Sequence, residues 1–144
     1  MPYFLAPFLG WLVSGSLKFI INYIRFGKSA RERIGNGGFP STHTAIVTTP
    51  TVLIGLNEGW LSPIFGLAVT LLCIVVIDAL GLRNAVGKQA KELNLIIQSI
   101  DKIGRINKRP LRESMGHTKF EILGGIVVGI LVALSFQFLL LYFK

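Results

Sequence analysis

The sequence has little of the chemistry that most small domains rely on: one cysteine, two histidines and seven acidic residues among 144. A single cysteine, Cys73, excludes a disulfide framework and a thiolate metal site. Placed within an apolar run, it reads as a small core residue. Charge of either sign is sparse, at 15% of residues. There is no internal repeat and no low-complexity segment. No basic stretch precedes the first apolar run, whose first charge is Lys18, and no small-residue cleavage signal is evident. That run is therefore expected to be a retained span and not a leader.

Apolar residues are abundant. They make up 51% of the chain, and mean hydropathy is +0.62. A soluble domain of this length has no room to bury that much apolar surface. Runs of roughly 18 or more apolar residues cross a bilayer as helices. The pattern predicts an all-α integral membrane protein, one domain over 1–144, with about four transmembrane helices and one amphipathic helix.

The expected spans are 2–24, 41–56, 61–82 and 120–143. Pro50 is a potential kink in the second, and Asn57-Glu58-Gly59 a tight connection after it. The run Gly35-Asn36-Gly37-Gly38-Phe39-Pro40 signals a turn. Between the last two spans, residues 84–103 show helical periodicity, with Val86, Ala90, Leu93, Ile96, Ile97 and Ile100 on one face. Such a helix packs on the bundle or lies at the membrane interface. Gly124, Gly125 and Gly129 in the last span read as points of close helix packing.

The net charge is +8, and the first and third loops hold four and nine of the fifteen Lys and Arg. Basic residues in loops between spans favour anionic lipid or phosphate as partner over nucleic acid. The positive-inside rule puts both loops in the cytoplasm and both termini outside. The expected setting is a bacterial-type inner membrane, with the site facing the cytoplasm. A bundle this small can self-associate into a homo-oligomer, although no residue pattern counts subunits.

The two histidines, His43 and His117, fall on that same basic side, each at the start of a span. Helix N-termini favour anions, and histidine serves both nucleophilic attack and proton transfer near neutral pH. His117 and Glu121 are spaced i, i+4, so the carboxylate shares a helix face with the imidazole. Thr118-Lys119-Phe120-Glu121 also fits a capping box. Lys18, an intramembrane charge, pairs with Asp78 or serves a site. Asp78 alternatively pairs with Arg83 at the end of the third span.

Three strings carry a family resemblance. The first is Gly37-Gly38-Phe39-Pro40-Ser41-Thr42-His43. The second is Asp78-Ala79-Leu80-Gly81-Leu82-Arg83-Asn84-Ala85-Val86-Gly87-Lys88-Gln89-Ala90. The third is Gly116-His117-Thr118-Lys119-Phe120-Glu121. Together they resemble the divergent branch of the type 2 phosphatidic acid phosphatase superfamily, to which vanadium haloperoxidases are related. The resemblance implies hydrolysis of a phosphomonoester or diphosphate of a lipid, with no metal or cofactor. His117 would attack phosphorus, Glu121 would orient it, and His43 would protonate the leaving oxygen. Ser41 and Thr42 would contact the phosphate. Its remaining oxygens would be held by basic residues drawn from Lys18, Arg83, Lys88, Arg112 and Arg109.

The chain departs from the main branch in four ways. Thr42 replaces a glycine, Glu121 replaces an aspartate, and Arg112 is one residue closer to its histidine. Lys102-x6-Arg109-Pro110 matches the first main-branch motif but comes after the Pro-Ser element in the chain instead of before it. Two other functions fit the composition. One is a non-enzymatic anionic-lipid binder, which would tolerate loss of either histidine. The other is a small transporter subunit, which would depend on Lys18 and Asp78.

Overall fold

The computed structural model describes residues 2–28, 38–101 and 110–142. Arg31, Arg33, Gly35, Asn36, Gly37, Lys102 and Arg109 lie outside them. A 3-10 turn, Tyr3–Leu5, leads into α1, Ala6–Phe26, which Gly27 ends with a positive φ of 57°. Ser41 caps α2, Thr42–Glu58, its side chain accepting from the Thr44 N–H at 3.4 Å. Ser62 caps α3, Pro63–Leu80, in the same way through the Phe65 N–H at 3.3 Å. After Gly81 the chain continues as α4, Leu82–Asp101. The last helix is α5, Lys119–Tyr142. Among the described residues there is no strand.

These helices follow the expected spans to within two residues at most ends. The second connection differs. α2 runs on through Glu58, and the turn is Gly59–Ser62, closed by Ser62 N–H donating to the Gly59 carbonyl at 3.2 Å. Ser62 followed by Pro63 is the stronger helix start, because serine satisfies a free N–H and proline at the first position gives none up.

Helices α1, α3 and α5 are long and apolar enough to cross a membrane. Their outward residues are large and apolar: Phe8 is 65% exposed, Leu67 70% and Phe138 71%. Surfaces of that kind belong against lipid, and the chain is an integral membrane protein. The expected second span is the exception. α2 has 17 residues, five of them threonine, and reaches only about 26 Å. It is the helix that α1, α3 and α5 surround. From Thr44 to Gly55 each residue is buried or half-buried. Two of its hydroxyls are satisfied inside the helix, Thr49 Oγ1 donating to the Ala45 carbonyl and Thr51 Oγ1 to that of Val47, both at 2.8 Å, while the buried Thr48 Oγ1 has no partner among the described residues. Water is not needed to satisfy the first two.

Small residues let the neighbours close on α2. A Cβ at Gly10 of α1 would lie 2.7 Å from Thr49 Oγ1 and 2.9 Å from the Ala45 carbonyl oxygen. One at Gly125 of α5 would lie 2.4 Å from the Ser41 carbonyl oxygen, and one at Gly129 2.6 Å from Thr48 Cβ. Lacking side chains there, the helix backbones approach as far as van der Waals contact allows.

The two ends of the bundle differ in character. At one end Tyr3 donates to Glu58, while Asn57 and Gln137 exchange hydrogen bonds at 2.9 and 3.1 Å. At the other, the C-termini of α1 and α3 meet the N-termini of α2 and α5. α4 leaves from this second end. Its buried row is Gly87, Ala90 and Asn94, set against the segment 111–115, while Val86, Leu93 and Ile96 stay exposed. Asn94 makes the fit, exchanging hydrogen bonds with the Leu111 main chain at 2.8 and 2.7 Å and donating to Glu113 at 2.8 Å. The small and polar face of α4 does the packing, because a flat backbone segment fits against glycine and alanine and asparagine supplies its partners.

Candidate active site

The polar end is built around two helix starts. The Ser41 N–H donates to the Glu121 carbonyl at 2.8 Å, which ties the first turn of α5 to the cap of α2. Gly125 lies one turn further along the same contact. The arrangement puts His43, in the first turn of α2, beside His117, just ahead of α5. Their ring centroids are 6.4 Å apart and the rings are tilted by 57°. The free N–H groups and dipole ends of both helices converge there.

His117 is buried, at 7% exposure. Its N–H donates to the Ala79 carbonyl at 3.1 Å, and its own carbonyl accepts from Asn84 Nδ2 at 3.3 Å. The main chain of the histidine is thus held from both sides of the α3–α4 junction. Gly116, with φ of 90°, brings it there; a Cβ at Gly116 would meet Asn84 Oδ1 at 2.0 Å. Only glycine combines that dihedral with that approach.

The imidazole is fixed by Glu121. Glu121 Oε2 lies 3.0 Å from His117 Nδ1 and accepts from the Thr118 N–H at 3.0 Å. The Glu121 N–H returns a bond to Thr118 Oγ1 at 3.3 Å. The capping box and the carboxylate–histidine pair are therefore one structure, with a single oxygen serving both. A carboxylate on Nδ1 favours the tautomer protonated there and leaves Nε2 with its lone pair.

Around the pair the charges are mostly positive. Lys18 and Arg83 lie within electrostatic reach of His43, as does Asp78. Glu121 and Arg112 bear on Lys18 in turn. Asp78 accepts from Arg83 Nε, which gives Asp78 its partner within the turn ending α3. Lys18 instead lies against the loop before α2, its Cε 3.5 Å from where a Gly38 Cβ would be. Ser41 is fully buried, and its hydroxyl is engaged with Thr44 Oγ1 at 2.8 Å and with the cap. Thr42 is half-buried beside it. Lys88 is exposed on α4, and no described contact joins it to either histidine.

Nothing in the sequence pattern marks the role of Asn84. An asparagine three residues past the glycine that ends α3 is the available signal, and it specifies no partner 33 residues away. A cleft of about 730 Å³ opens next to the pair, between the last turns of α1, the Gly38-Phe39 loop and the segment 114–121.

A membrane-embedded helical bundle holding a buried histidine–carboxylate pair and a second histidine at adjoining helix starts defines a small class of membrane proteins. The chain belongs to the divergent PAP2 family, whose model matches residues 1–132. It is also similar to an uncharacterized membrane protein, YuiD, of Bacillus subtilis (strain 168). The two are 29% identical over 109 residues, covering 68% of this chain and 69% of that protein. No solved structure matches the chain.

Proposed function

We propose that the protein hydrolyses the terminal phosphate of a lipid phosphomonoester or diphosphate through a phosphohistidine at His117. The observation that carries this reading is the orientation of His117 by Glu121 at 3.0 Å with the His43 ring 6.4 Å away. Family membership and the basic surroundings support it.

In the first step the Nε2 lone pair attacks phosphorus. The bond from phosphorus to the leaving oxygen breaks, and that oxygen takes the proton from protonated His43. In the second step neutral His43 takes a proton from water as the water oxygen attacks the phosphohistidine. The phosphorus–nitrogen bond breaks, inorganic phosphate leaves, and both histidines return to their starting states. Glu121 stabilises the positive charge on the ring of His117 during attack. Lys18, Arg83 and Arg112, with the first-turn N–H groups of α2 and the Thr42 hydroxyl, hold the oxygens where charge develops. Ser41 contributes by holding that turn in place. The acyl or isoprenoid tail lies against the apolar helices and the site faces the cytoplasm, an orientation that the basic loops support under the positive-inside rule.

The test is phosphate release by detergent-purified protein from a panel of lipid phosphates, with chelator present. We expect release from at least one lipid, reduced to background by His117→Ala and by His43→Ala. Full activity in His117→Ala would exclude the mechanism. Binding of the same lipids with no release from any would make the protein a lipid-phosphate binder.

A further inference from the structure

The cleft beside His117 has a composition of its own. Its walls include Arg25 from the last turn of α1 and Lys119 at the start of α5. Among the described residues neither forms an ion pair. Asn22 and Ser114 add neutral hydrogen-bonding groups, and Phe26 and Met115 an apolar edge. The one carboxylate in the lining is Glu121, already committed to His117 and the Thr118 N–H. The cleft therefore presents two cations and no available acid, which is the electrostatic signature of an anion site.

Three features separate this cleft from a merely basic membrane face. It is concave. At about 730 Å³ it falls in the range that holds a whole ligand group, with room beyond a single phosphate. And His117 and Glu121 form part of its wall, so a group seated there belongs to the molecule whose phosphate His117 attacks. The cations proposed above to hold that phosphate, Lys18, Arg83 and Arg112, are absent from the lining.

We infer that this cleft binds a second anionic phosphate of the substrate, so that the enzyme selects lipids carrying two phosphates over lipids with a single phosphomonoester. The inference rests on the phosphatase reading for its chemistry but makes a separate claim about binding. Two lipid classes supply the required pair of charges. One is an isoprenyl diphosphate, with its phosphates adjacent. The other is a glycerophospholipid whose phosphodiester headgroup ends in a phosphomonoester, with its phosphates further apart. The bonds made and broken are those given above; only the leaving group changes, to a lipid monophosphate or a lipid alcohol that retains its phosphodiester.

The experiment measures kcat/KM for an isoprenyl diphosphate, a phosphodiester lipid with a terminal phosphomonoester, and phosphatidic acid as the single-phosphate comparison. Wild type, Arg25→Gln, Lys119→Gln and the double variant are compared, with thermal unfolding checked for each. We expect wild type to prefer one of the two-phosphate lipids by tenfold or more. Each substitution lowers kcat/KM for that lipid by about tenfold through KM, the scale of a lost charged hydrogen bond. Activity on phosphatidic acid stays within twofold. Which two-phosphate lipid is preferred reports the spacing of the two sites. The inference is overturned if wild type treats all three alike, or if the substitutions lower all three equally while the fold is intact.

Binding separates the two claims. The same lipids compete against a fluorescent lipid phosphate on His43→Ala protein, which should not turn over. A tenfold advantage for a two-phosphate lipid, lost in Arg25→Gln and Lys119→Gln backgrounds, supports the cleft even if wild type hydrolyses nothing. Hydrolysis without any such advantage retains the phosphatase and removes the cleft inference.

Discussion

Glu121 has two functions that substitution can pull apart. Its Oε2 accepts from both the imidazole Nδ1 and the Thr118 N–H, at 3.0 Å each, while its own N–H reaches Thr118 Oγ1. Glu121→Gln keeps the side-chain length and one carbonyl oxygen, so the cap survives in weakened form. What it loses is the negative charge opposite His117. A hydrogen bond to a charged group contributes about 1.5–3 kcal/mol, and each 1.36 kcal/mol is a factor of about ten in rate. The loss in kcat/KM is therefore on the order of 10- to 150-fold if the ring stays in place. It approaches 10⁴-fold if the amide stabilises the wrong tautomer, as replacement of the acid does in serine protease triads. Thr118→Val is the converse change. It removes the hydroxyl that accepts the Glu121 N–H and leaves the carboxylate on His117. Its cost is that of a cap, about 1 kcal/mol of stability, with kcat/KM within about fivefold of wild type. The assay is phosphate release from the preferred lipid beside thermal unfolding of the same preparations. Glutamine within twofold of wild type at equal stability would refute the orienting role. Equal loss of activity in both variants would reduce Glu121 to a helix cap.

Gly125→Ala forces a Cβ to within 2.4 Å of the Ser41 carbonyl oxygen. It should cost about 1–3 kcal/mol by overpacking, with activity falling because the same contact spaces the histidines; thermal unfolding and kcat/KM measure the two effects. The proposed reaction needs His117 neutral and His43 protonated. Its kcat/KM should therefore rise and then fall with pH, with limbs that belong to the interacting pair. In His43→Ala any residual rate should lose the alkaline fall, and an unchanged bell would remove His43 as the acid. A reporter fused after Lys144 should score as external if the basic end of the bundle follows the positive-inside rule into the cytoplasm; a cytoplasmic signal would invert the proposed orientation.

Much of this architecture is legible in the chain because its punctuation is local. Thr118 with Glu121 marks one helix start by a spacing of three residues, and the caps at Ser41 and Ser62-Pro63 are just as local, although the connection expected at 57–59 falls short of the turn that Ser62 closes. The His117–Glu121 contact is equally local, one turn of helix. What periodicity does not encode is which face meets what. Asp78 had two candidate partners, and its pairing with Arg83 depends on how the chain turns at Gly81. Asn84 reaches the His117 carbonyl across 33 residues. The Ser41 hydroxyl faces inward because the cap and Thr44 offer it partners at a fully buried position. α4 packs through Gly87, Ala90 and Asn94, not through its larger apolar residues, since only small groups admit the facing backbone.

The enclosure of α2 bears on how the protein is assembled. α1, α3 and α5 meet the length and hydropathy needed to stand alone in a bilayer; α2, with five threonines and Pro50, is poorly suited to do so. In a two-stage description of membrane folding, stable helices insert first and associate afterwards. Here the helix that carries one histidine belongs to the second stage. It acquires a stable transmembrane position as its neighbours close over Gly10, Gly125 and Gly129. Proper membrane integration and completion of the two-histidine site are thereby the same event, and a chain that fails to gather its outer helices lacks both.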